Sequence, residues 1–543
     1  MSDSRLSFIP ILKQYYQHAY ELAKGPGSPL LADGIEVRTS SPAHWCYPDG
    51  HTAPMSNFAS QQNFIRGLIA LEVVTGEAKF KHQAIETVQY FLNHYVDSES
   101  GLFHWGGHRF VNLLSGQIEG PASKECVHEL KHHFPFYDLL HEVEPTKTER
   151  FLRGFWQSHI SNWETLDLSR HGEYGKECPE NVFQQFEPKP VVDPEKWPEL
   201  PQTVGLTFVN ASTDLIYAAC YYYKYTSDVD AKKWAKHLYR QFVLARNPHT
   251  GMPVYQFSSP LQREPVPTDD KITFSWFGDR AKRQFGKEFG EIAKEANALF
   301  RDCWPVVVDN PMAILECAEL TQDTDMALWA VEGIKAYFKY AWDEQKNQIL
   351  PMWNDGVDLS GLTFKRDGYY GSKGTQLSPQ KNDPAYLLTL VRACANSTDK
   401  ALRELTVKMF KRFGLGDLHP ETLKPNTLSS ETEIASPYLV FALLELIELT
   451  GTREFLALTQ VVGENLLRTH YHFGFFIPSE KHKYARLDDP IPYALIAIEA
   501  ANQGQYQKIP IAISTGGYLH GDQSIDGKEK VVYDYEVVYN QIV

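Results

Sequence analysis

The sequence predicts a mainly α-helical protein, an (α/α)7 toroid of helical hairpins with a small antiparallel β element at its C-terminal end. Three observations predict this fold. Apolar segments with helical periodicity recur along the 543 residues. Short polar breaks of similar composition separate these segments in pairs. After residue 508, β-branched and aromatic residues with Gly-containing turns replace the helical pattern.

The helices are paired by the polar breaks between them. The breaks begin at Thr75, Thr226, Thr321, Asn396 and Thr450. Each places small polar residues where one helix ends and the next is capped. Fourteen helices, or seven pairs, are predicted over 58–74, 79–95, 125–143, 146–162, 210–225, 228–245, 279–300, 311–320, 323–341, 384–395, 399–413, 437–449, 453–469 and 491–501. Seven hairpins of one orientation favour a closed ring.

Aromatic loops follow the second helix of several pairs, and loops that recur on one side of a helical array tend to form its binding face. They begin at Gly101, Gly251, Gln348 and Phe473. Trp105, Trp353 and Phe475 lie in these loops and either stack on sugar rings or fill the top of the core. The stretches 173–204 and 258–273 are predicted as long insertions. We expect a catalytic toroid over 1–505 and a β element over 506–543 packed on it.

Composition and charge exclude several classes of function. The net charge of −15 argues against a nucleic-acid-binding protein. The most apolar stretch, 438–449, contains two glutamates and is too short to span a membrane. The first residues lack the long apolar segment of a secretory signal, and the seven cysteines form no CxxC pair. These features predict a cytoplasmic protein with reduced thiols.

Side chains suited to metal binding concentrate between residues 104 and 171. His104 and His108 lie in the first aromatic loop, Glu129 lies on the predicted helix that follows, and Arg170 and His171 lie in the next loop. Because the two loops are neighbours on one rim, we expect the three segments to converge. Two imidazoles and a carboxylate suit a first-row transition metal better than Ca²⁺. Each histidine could instead be a hydrogen-bonded core or surface residue.

A second metal motif overlaps this cluster. The segment His128-Glu129-Leu130-Lys131-His132 matches H-E-x-x-H, in which two histidines on one helix face bind zinc and the glutamate acts as general base. The motif alone indicates a zinc peptidase, but no third ligand stands on a following helix.

Two further functions stay open. Asp355, Asp488 and Asp489 lie on comparable loops and favour a helical-toroid glycoside hydrolase that acts on uronic-acid oligosaccharides with paired carboxylates. A noncatalytic, sugar-binding toroid is the other alternative, because α/α repeats also serve as binding surfaces.

Three segments carry a resemblance to a known family. They are the Gly106-Gly107-His108-Arg109 loop, the Glu129 position and the Leu168-Ser169-Arg170-His171-Gly172 loop. In these segments the chain resembles the family 2 polysaccharide lyases, over the helical body and the C-terminal β element alike. The resemblance implies an (α/α)7 barrel and a pectate lyase that cleaves polygalacturonate or its oligomers by β-elimination. It also implies exolytic action that releases 4,5-unsaturated digalacturonate.

The resemblance assigns roles to individual residues. It implies that His108, Glu129 and His171 bind a divalent transition metal, with Mn²⁺ favoured, Co²⁺, Ni²⁺ or Zn²⁺ as alternatives and Ca²⁺ not expected. Arg170 would be the Brønsted base. The candidates for substrate binding are Arg109, next to His108, and Trp105, from its place in the first aromatic loop. The resemblance also implies a second active-site arginine, for which Arg280 and Arg283 are candidates.

These residue types suit β-elimination from a galacturonate. The C5 proton is α to a carboxylate, and its removal builds negative charge that a divalent metal stabilises. A dication beside an arginine disfavours the cationic form of the guanidinium, which makes the neutral base accessible. The alternative role for Arg170 is a cation that pairs with a sugar carboxylate.

Overall fold

The computed structural model describes residues 6–46, 51–106, 109–120, 127–163, 166–188, 206–254, 256–258, 298–299, 305–364, 372–512, 520–525 and 528–539. Within these ranges the protein is mainly helical, as predicted. The α-helices are α1 Ile9–Ala23, α2 Gln62–Thr75, α3 Ala78–His94, α4 Tyr137–Val143, α5 Pro145–His159, α6 Val209–Thr226, α7 Val229–Leu244, α8 Asn310–Thr321, α9 Thr324–Ala341, α10 Pro384–Ala395, α11 Lys400–Arg412, α12 Pro437–Thr450, α13 Phe455–His470 and α14 Pro490–Asn502.

The strands are short, and all of their pairings are antiparallel. They are β1 Gly34–Glu36, β2 Ser41–Pro42, β3 His44–Cys46, β4 Thr52–Ser56, β5 Phe110–Asn112, β6 Ile118–Glu119, β7 His128–Glu129, β8 Ile160–Asn162, β9 Asp167–Leu168, β10 His171–Gly172, β11 Leu206–Phe208, β12 Gln256–Ser258, β13 Ala298–Leu299, β14 Trp342–Asp343, β15 Gln348–Ile349, β16 Met352–Trp353, β17 Gln380–Lys381, β18 Gly416–Leu418, β19 Pro425–Leu428, β20 Tyr471–His472, β21 Phe475–Phe476, β22 Tyr484–Arg486, β23 His520–Ile525 and β24 Lys528–Tyr533.

Consecutive helices pack in pairs, and the ends of the chain complete the ring. Six pairs run from α2–α3 to α12–α13, and the seventh consists of α14 with α1. Helix α14 also packs on α2, and the Asn63 N–H of α2 donates to Asp488 at 2.7 Å. The seven described pairs confirm the (α/α)7 prediction, but α1 was not predicted. Of the predicted helix 279–300, only residues 298–299 lie in the described part of the chain, where they form strand β13.

Alternate helices line the inside and the outside of the ring. The inner helices α12 and α14 are buried on nearly all sides, because they contact neighbours in the ring and their own outer partner. Outer helices such as α5 and α11 bury one face, which is the expected amphipathic pattern.

The polar breaks form short turns at one end of the ring, as predicted. Gly76 and Gly451 end two inner helices with φ of 70° and 67°, a left-handed conformation that glycine adopts at low cost. Asp228, Asp323 and Asp399 each cap the outer helix that follows by accepting backbone N–H groups. The strand-bearing loops that follow the outer helices lie at the opposite end, which is the face where we expected the binding site.

The C-terminal β element is an antiparallel hairpin of β23 and β24, with His520 opposite Tyr533 at its open end. Strand β23 packs against β3. The hairpin confirms the β pattern read in this segment, while the domain boundary at 505/506 stays a prediction. None of the helices in the described ranges has both the length and the apolar character needed to cross a membrane.

The predicted helix over 125–143 is wrong in its first half. Helix α4 begins only at Tyr137, and His128 and Glu129 form the short strand β7. Pro135 lacks an N–H and disfavours helical geometry at the residue before it. Phe134 has a φ of 42°, which no α-helix accommodates. The H-E-x-x-H segment therefore does not lie on a helix, and the face that a zinc peptidase requires does not form.

Candidate active site

Strands β7 and β10 form an antiparallel ribbon that brings the predicted site residues together. His171 lies directly opposite Glu129, and Gly172 lies opposite His128. Directly opposed residues of an antiparallel pair project to the same side. The side chains of Glu129 and His171 therefore share the front face of the ribbon, and the side chain of His128 lies on its back face.

The carboxylate of Glu129 is buried between two cations. Glu129 is only 4% exposed. Arg170 Nη2 donates to its Oε1, and Lys131 Nζ lies 3.3 Å from its Oε2. Residues 129 and 131 project to the same side because side chains alternate along an extended chain. Pairing with cations is what makes burial of a carboxylate tolerable.

Arg170 and His171 are the more accessible residues around Glu129. The Arg170 side chain is 32% exposed, and His171 is also exposed. The Ser169 hydroxyl accepts the His171 N–H at 3.1 Å and donates to the His171 carbonyl at 2.8 Å. This local turn fixes the backbone next to Arg170, which contacts the buried Glu129 carboxylate, and the backbone of His171, which lies opposite Glu129 in the ribbon.

A chain of hydrogen bonds supports the back face. Trp105 Nε1 donates to His128 Nε2 at 3.2 Å, His128 Nδ1 lies 3.0 Å from His159 Nε2, and His159 Nδ1 lies 2.9 Å from the Ser169 carbonyl. Burial lowers the pKa of His159 to about 3 and holds the pKa of His128 well below its ordinary value. Both imidazoles are therefore neutral near pH 7.

Gly172 gives the His159 ring its place behind the ribbon. A Cβ at residue 172 would lie 2.6 Å from His159 Nε2 and 2.9 Å from two ring carbons. Only a glycine admits the ring at this position, so the glycine after Arg170-His171 serves the back face of the ribbon.

The aromatic residues proposed for sugar stacking lie in the core. Trp105 is 3% exposed and packs against Phe58, Phe91, Phe103 and Phe151. Trp353 and Phe475 are also buried. Of the two roles considered for these rings, the structure supports filling the top of the core.

Arg109 lies beside the ribbon and stacks on a tyrosine. Its guanidinium carbon is 4.8 Å from the centre of the Tyr174 ring, and the His104 ring stacks on the same tyrosine with centroids 4.6 Å apart. Burial and then the charge of Arg109 lower the pKa of His104 to about 4. Arg109 is thus held near the site by an aromatic partner, and a role in substrate binding stays a prediction.

The histidines of the H-E-x-x-H segment have separate environments. His128 is 2% exposed and faces the back of the ribbon, whereas His132 Nε2 lies 3.8 Å from Asp309 Oδ2. In the next turn, the N–H groups of His133 and Phe134 both donate to the carboxylate of Asp214. This pairing holds the left-handed conformation of Phe134.

Three predicted residues lie outside the described part of the chain: His108, Arg280 and Arg283. Among the described residues, no group of three His, Cys, Asp or Glu side chains has the arrangement of a metal site. Two members of the predicted ligand set, Glu129 and His171, are brought together, and the third ligand stays a prediction.

The aspartates that favoured a hydrolase stabilise local structure. Asp488 is buried and accepts the Asn63 N–H. Asp489 accepts the Ile491 N–H at 2.8 Å and caps α14, and Asp355 accepts the Val357 N–H in a turn.

Sequence reasoning missed two neighbours of the β7–β10 ribbon. Lys131 pairs with Glu129, and His159, at the end of α5, supports the loop that carries Arg170. Strand alternation would have placed Lys131 beside Glu129, but the segment was interpreted as a helix. For His159 the available signal was its place as a histidine in the last turn of an otherwise apolar helix face.

Comparison with known proteins shows the family to which the chain belongs. The family model described as "Periplasmic pectate lyase" matches residues 28–522. A pectate disaccharide-lyase of Dickeya dadantii (strain 3937) is 50% identical over 512 residues, which cover 94% of this chain and 92% of the relative. These matches place the protein in the class of polysaccharide lyases, built here on a helical ring. More narrowly, the chain belongs to the pectate lyase family that the matching model describes.

Solved structures of other enzymes show weaker likeness. A D-mannose isomerase matches with a TM-score of 0.45 at 10% identity, over 81% of this chain and 97% of that chain. A cellobiose 2-epimerase from Bacillus thermoamylovorans B4167 matches with a TM-score of 0.42 at 10% identity, over 91% and 99%. Likeness at this level says nothing about the reaction of this chain.

Proposed function

We propose that this protein is an exolytic pectate lyase that cleaves polygalacturonate or oligogalacturonides by β-elimination and releases 4,5-unsaturated digalacturonate. Membership of the pectate lyase family and 50% identity to a pectate disaccharide-lyase support the activity and the disaccharide product. The observation that carries the site is the convergence on Glu129, because the Arg170 guanidinium donates to its carboxylate and His171 lies directly opposite it in the ribbon. The glycoside hydrolase hypothesis gains no comparable support, because Asp355, Asp488 and Asp489 cap a helix or accept backbone N–H groups.

The residues on the front face fit a divalent transition metal. Glu129 offers a buried carboxylate, and the opposed His171 offers an exposed imidazole on the same side. One carboxylate and two imidazoles suit Mn²⁺, Co²⁺, Ni²⁺ or Zn²⁺, whereas Ca²⁺ prefers oxygen ligands. We assign Glu129, His171 and His108 as the ligands. The metal would neutralise the substrate carboxylate next to the C5 proton.

The protein's own residues orient the substrate and accept the proton. Arg170 contacts the carboxylate of Glu129 and keeps an accessible side chain, so its guanidinium can reach the C5 proton of a sugar ring bound beside Glu129. One guanidinium nitrogen, Nη2, is held by the Glu129 carboxylate. Lys131 and Arg109 add positive charge around the site, which attracts a polyanionic substrate although the whole chain is acidic.

A paired substitution tests this assignment. His171→Ala should lower the rate of unsaturated-uronate formation, followed by its ultraviolet absorbance, by more than about 100-fold. His132→Ala is the matched control: it removes a nearby histidine outside the front face and should leave the rate close to that of the wild type. The reverse pattern would favour the H-E-x-x-H assignment. Reducing sugar without the absorbance would favour a hydrolase.

Metal removal tests the cofactor. Treatment with a chelator should abolish the absorbance increase, and Mn²⁺ should restore it better than Ca²⁺ because of the two imidazole ligands. Full activity after exhaustive chelation, checked by elemental analysis, would contradict the metal assignment.

We also propose a cytoplasmic location. Cys178, Cys220, Cys317 and Cys394 are free thiols in the described part of the chain, as is typical of a reducing compartment. The matching family model is described as periplasmic, so the two locations compete. Cell fractionation with lyase activity as the marker decides between them, and activity in the periplasmic fraction would overturn the proposal.

A further inference from the structure

The hydrogen-bond chain behind the ribbon has a single direction. An indole N–H can only donate, so Trp105 requires an unprotonated Nε2 on His128. The proton of neutral His128 then lies on Nδ1 and is donated to His159 Nε2. His159 must in turn carry its proton on Nδ1, from which it donates to the Ser169 carbonyl.

His159 holds both polar backbone atoms of Ser169, the residue before Arg170. Its Nδ1 reaches the Ser169 carbonyl at 2.9 Å, and its own carbonyl accepts the Ser169 N–H at 2.8 Å. On the other side, the Arg170 carbonyl accepts the Leu130 N–H at 2.9 Å. The peptide groups on both sides of Arg170 are therefore fixed by hydrogen bonds.

The side chains that form this series of hydrogen bonds are buried from solvent. Trp105, His128 and His159 are all buried, and Phe151 and Phe155 pack around the imidazole of His128. A buried donor or acceptor that loses its partner costs about 1–3 kcal/mol, so neither imidazole can change its tautomer alone. Both the positions of these side chains and the donor-to-acceptor direction of their hydrogen bonds are therefore fixed.

We infer that Trp105, His128 and His159 are positioning residues that fix the peptide carrying Arg170 through the direction of their hydrogen bonds. This inference rests on the proposed role of Arg170 as the base. Displacing a base by about 1 Å can lower the reaction rate about 100-fold. The three hydrogen-bonded side chains fix the position of Arg170 without touching the substrate. Loss of these hydrogen bonds should therefore lower kcat and leave KM nearly unchanged.

Three variants of the histidines test the inference. His159→Phe keeps a ring of similar shape and removes both hydrogen bonds, and it should lower kcat about 10- to 100-fold. His159→Asn keeps an amide N–H near the position of Nδ1, and it should recover most of kcat by donating to Ser169. His141→Phe is the control, because His141 also bonds a side chain, Glu149 Oε1, and stacks on an aromatic ring, Tyr225, but lies away from the ribbon. It should keep the wild-type kcat.

Thermal melting separates positioning from stability. A purely structural role would lower the Tm of His159→Phe while kcat per folded molecule stays at the wild-type value, and this result would overturn the inference. An Asn variant as slow as the Phe variant would also overturn it. A wild-type protein without lyase activity would overturn both the proposed function and the inference, whereas active wild type with an equally active Phe variant would overturn the inference alone.

The tautomers provide a readout that does not depend on activity. Nitrogen-15 NMR of histidine-labelled protein, with signals assigned through the His128 and His159 variants, should show the Nδ1–H tautomer for both residues near pH 7. An Nε2–H tautomer at either residue would overturn the inferred direction.

Discussion

Adding one methyl group at Gly172 should displace the β7–β10 ribbon. In Gly172→Ala the new Cβ would lie 2.6 Å from His159 Nε2 and 2.9 Å from two ring carbons, whereas unstrained carbon contacts are about 3.5–4.0 Å. The ring and the strand must therefore separate by about 1 Å. The ring cannot rotate away without breaking its bonds to His128 and Ser169.

The expected cost follows from these contacts. Overpacking of a filled site costs about 1–3 kcal/mol, and loss of one of the two hydrogen bonds adds about 1 kcal/mol. A shift of about 1 Å in the ribbon should lower kcat about 100-fold, because Arg170 follows the strand. Initial rates on polygalacturonate and thermal melts of the same samples measure the two effects.

Gly333→Ala is the matched control for this prediction. Its Cβ would also meet a neighbour at 2.7 Å, but that neighbour is Nη2 of Arg246, the far end of a flexible side chain that donates a long hydrogen bond of 3.4 Å to Tyr239. The guanidinium can move, and alanine favours helix α9 by up to about 1 kcal/mol over glycine. The control should keep kcat and the Tm of the wild type or raise the Tm.

A second substitution tests the cause of the effect. In the double variant Gly172→Ala/His159→Asn the shorter side chain makes room for the methyl group and still donates to Ser169, so kcat should rise above that of Gly172→Ala alone. Wild-type kcat in Gly172→Ala, or no recovery in the double variant, would refute the steric reasoning.

Two other substitutions test the helical scaffold. Asp323 accepts the N–H groups of Asp325 and Met326 as the cap of α9 and also pairs with Lys236 at 2.9 Å, so Asp323→Ala should lower the free energy of unfolding by about 1 kcal/mol in denaturant titrations. Asp325→Ala loses a contact with the same Lys236 but no cap and should change the free energy of unfolding by less than about 0.5 kcal/mol; equal losses would contradict the cap. Burial raises the pKa of Glu316 from its ordinary 4.5 to about 7, so the folded state holds this proton more tightly and loses stability as pH rises from about 4.5 to 7. Glu316→Gln removes this titration, so the Tm of the variant relative to the wild type should rise between pH 5 and pH 8. The rise should correspond to at most about 3 kcal/mol, and a difference in Tm that does not vary with pH would contradict the raised pKa.

Helical periodicity and polar breaks were sufficient to predict the ring. Each break puts capping residues between two apolar segments, and local preference and long-range packing agree there, as at Asp228 and Asp323. Helix α1 was missed because its buried face is built from tyrosines as well as aliphatic residues: Tyr15, Tyr16 and Tyr20 follow the helical spacing but do not form an apolar run.

The site was predictable in its members and not in its local structure. The cluster of His, Glu and Arg indicated that Glu129 and His171 would meet. Because a helix was predicted over 125–143, the strand pairing that brings them together was not predicted. The two-residue strands β7 and β10 are too short for a period-2 pattern to appear. The role of His159 depends on a tautomer set by Trp105, 54 positions earlier, and no local pattern in the sequence carries that information.

The meeting of α2 with α14 imposes an order on biosynthesis. Asn63 and its partner Asp488 are 425 positions apart, so the ribosome must make most of the polypeptide before the flank of α2 is covered. Until then the helices form an open arc, and α2 exposes the apolar side chains that α14 later covers. Exposed apolar surfaces of this kind promote aggregation. Molecular chaperones that shield this flank should therefore raise the yield of folded protein more than they raise the stability of the finished ring.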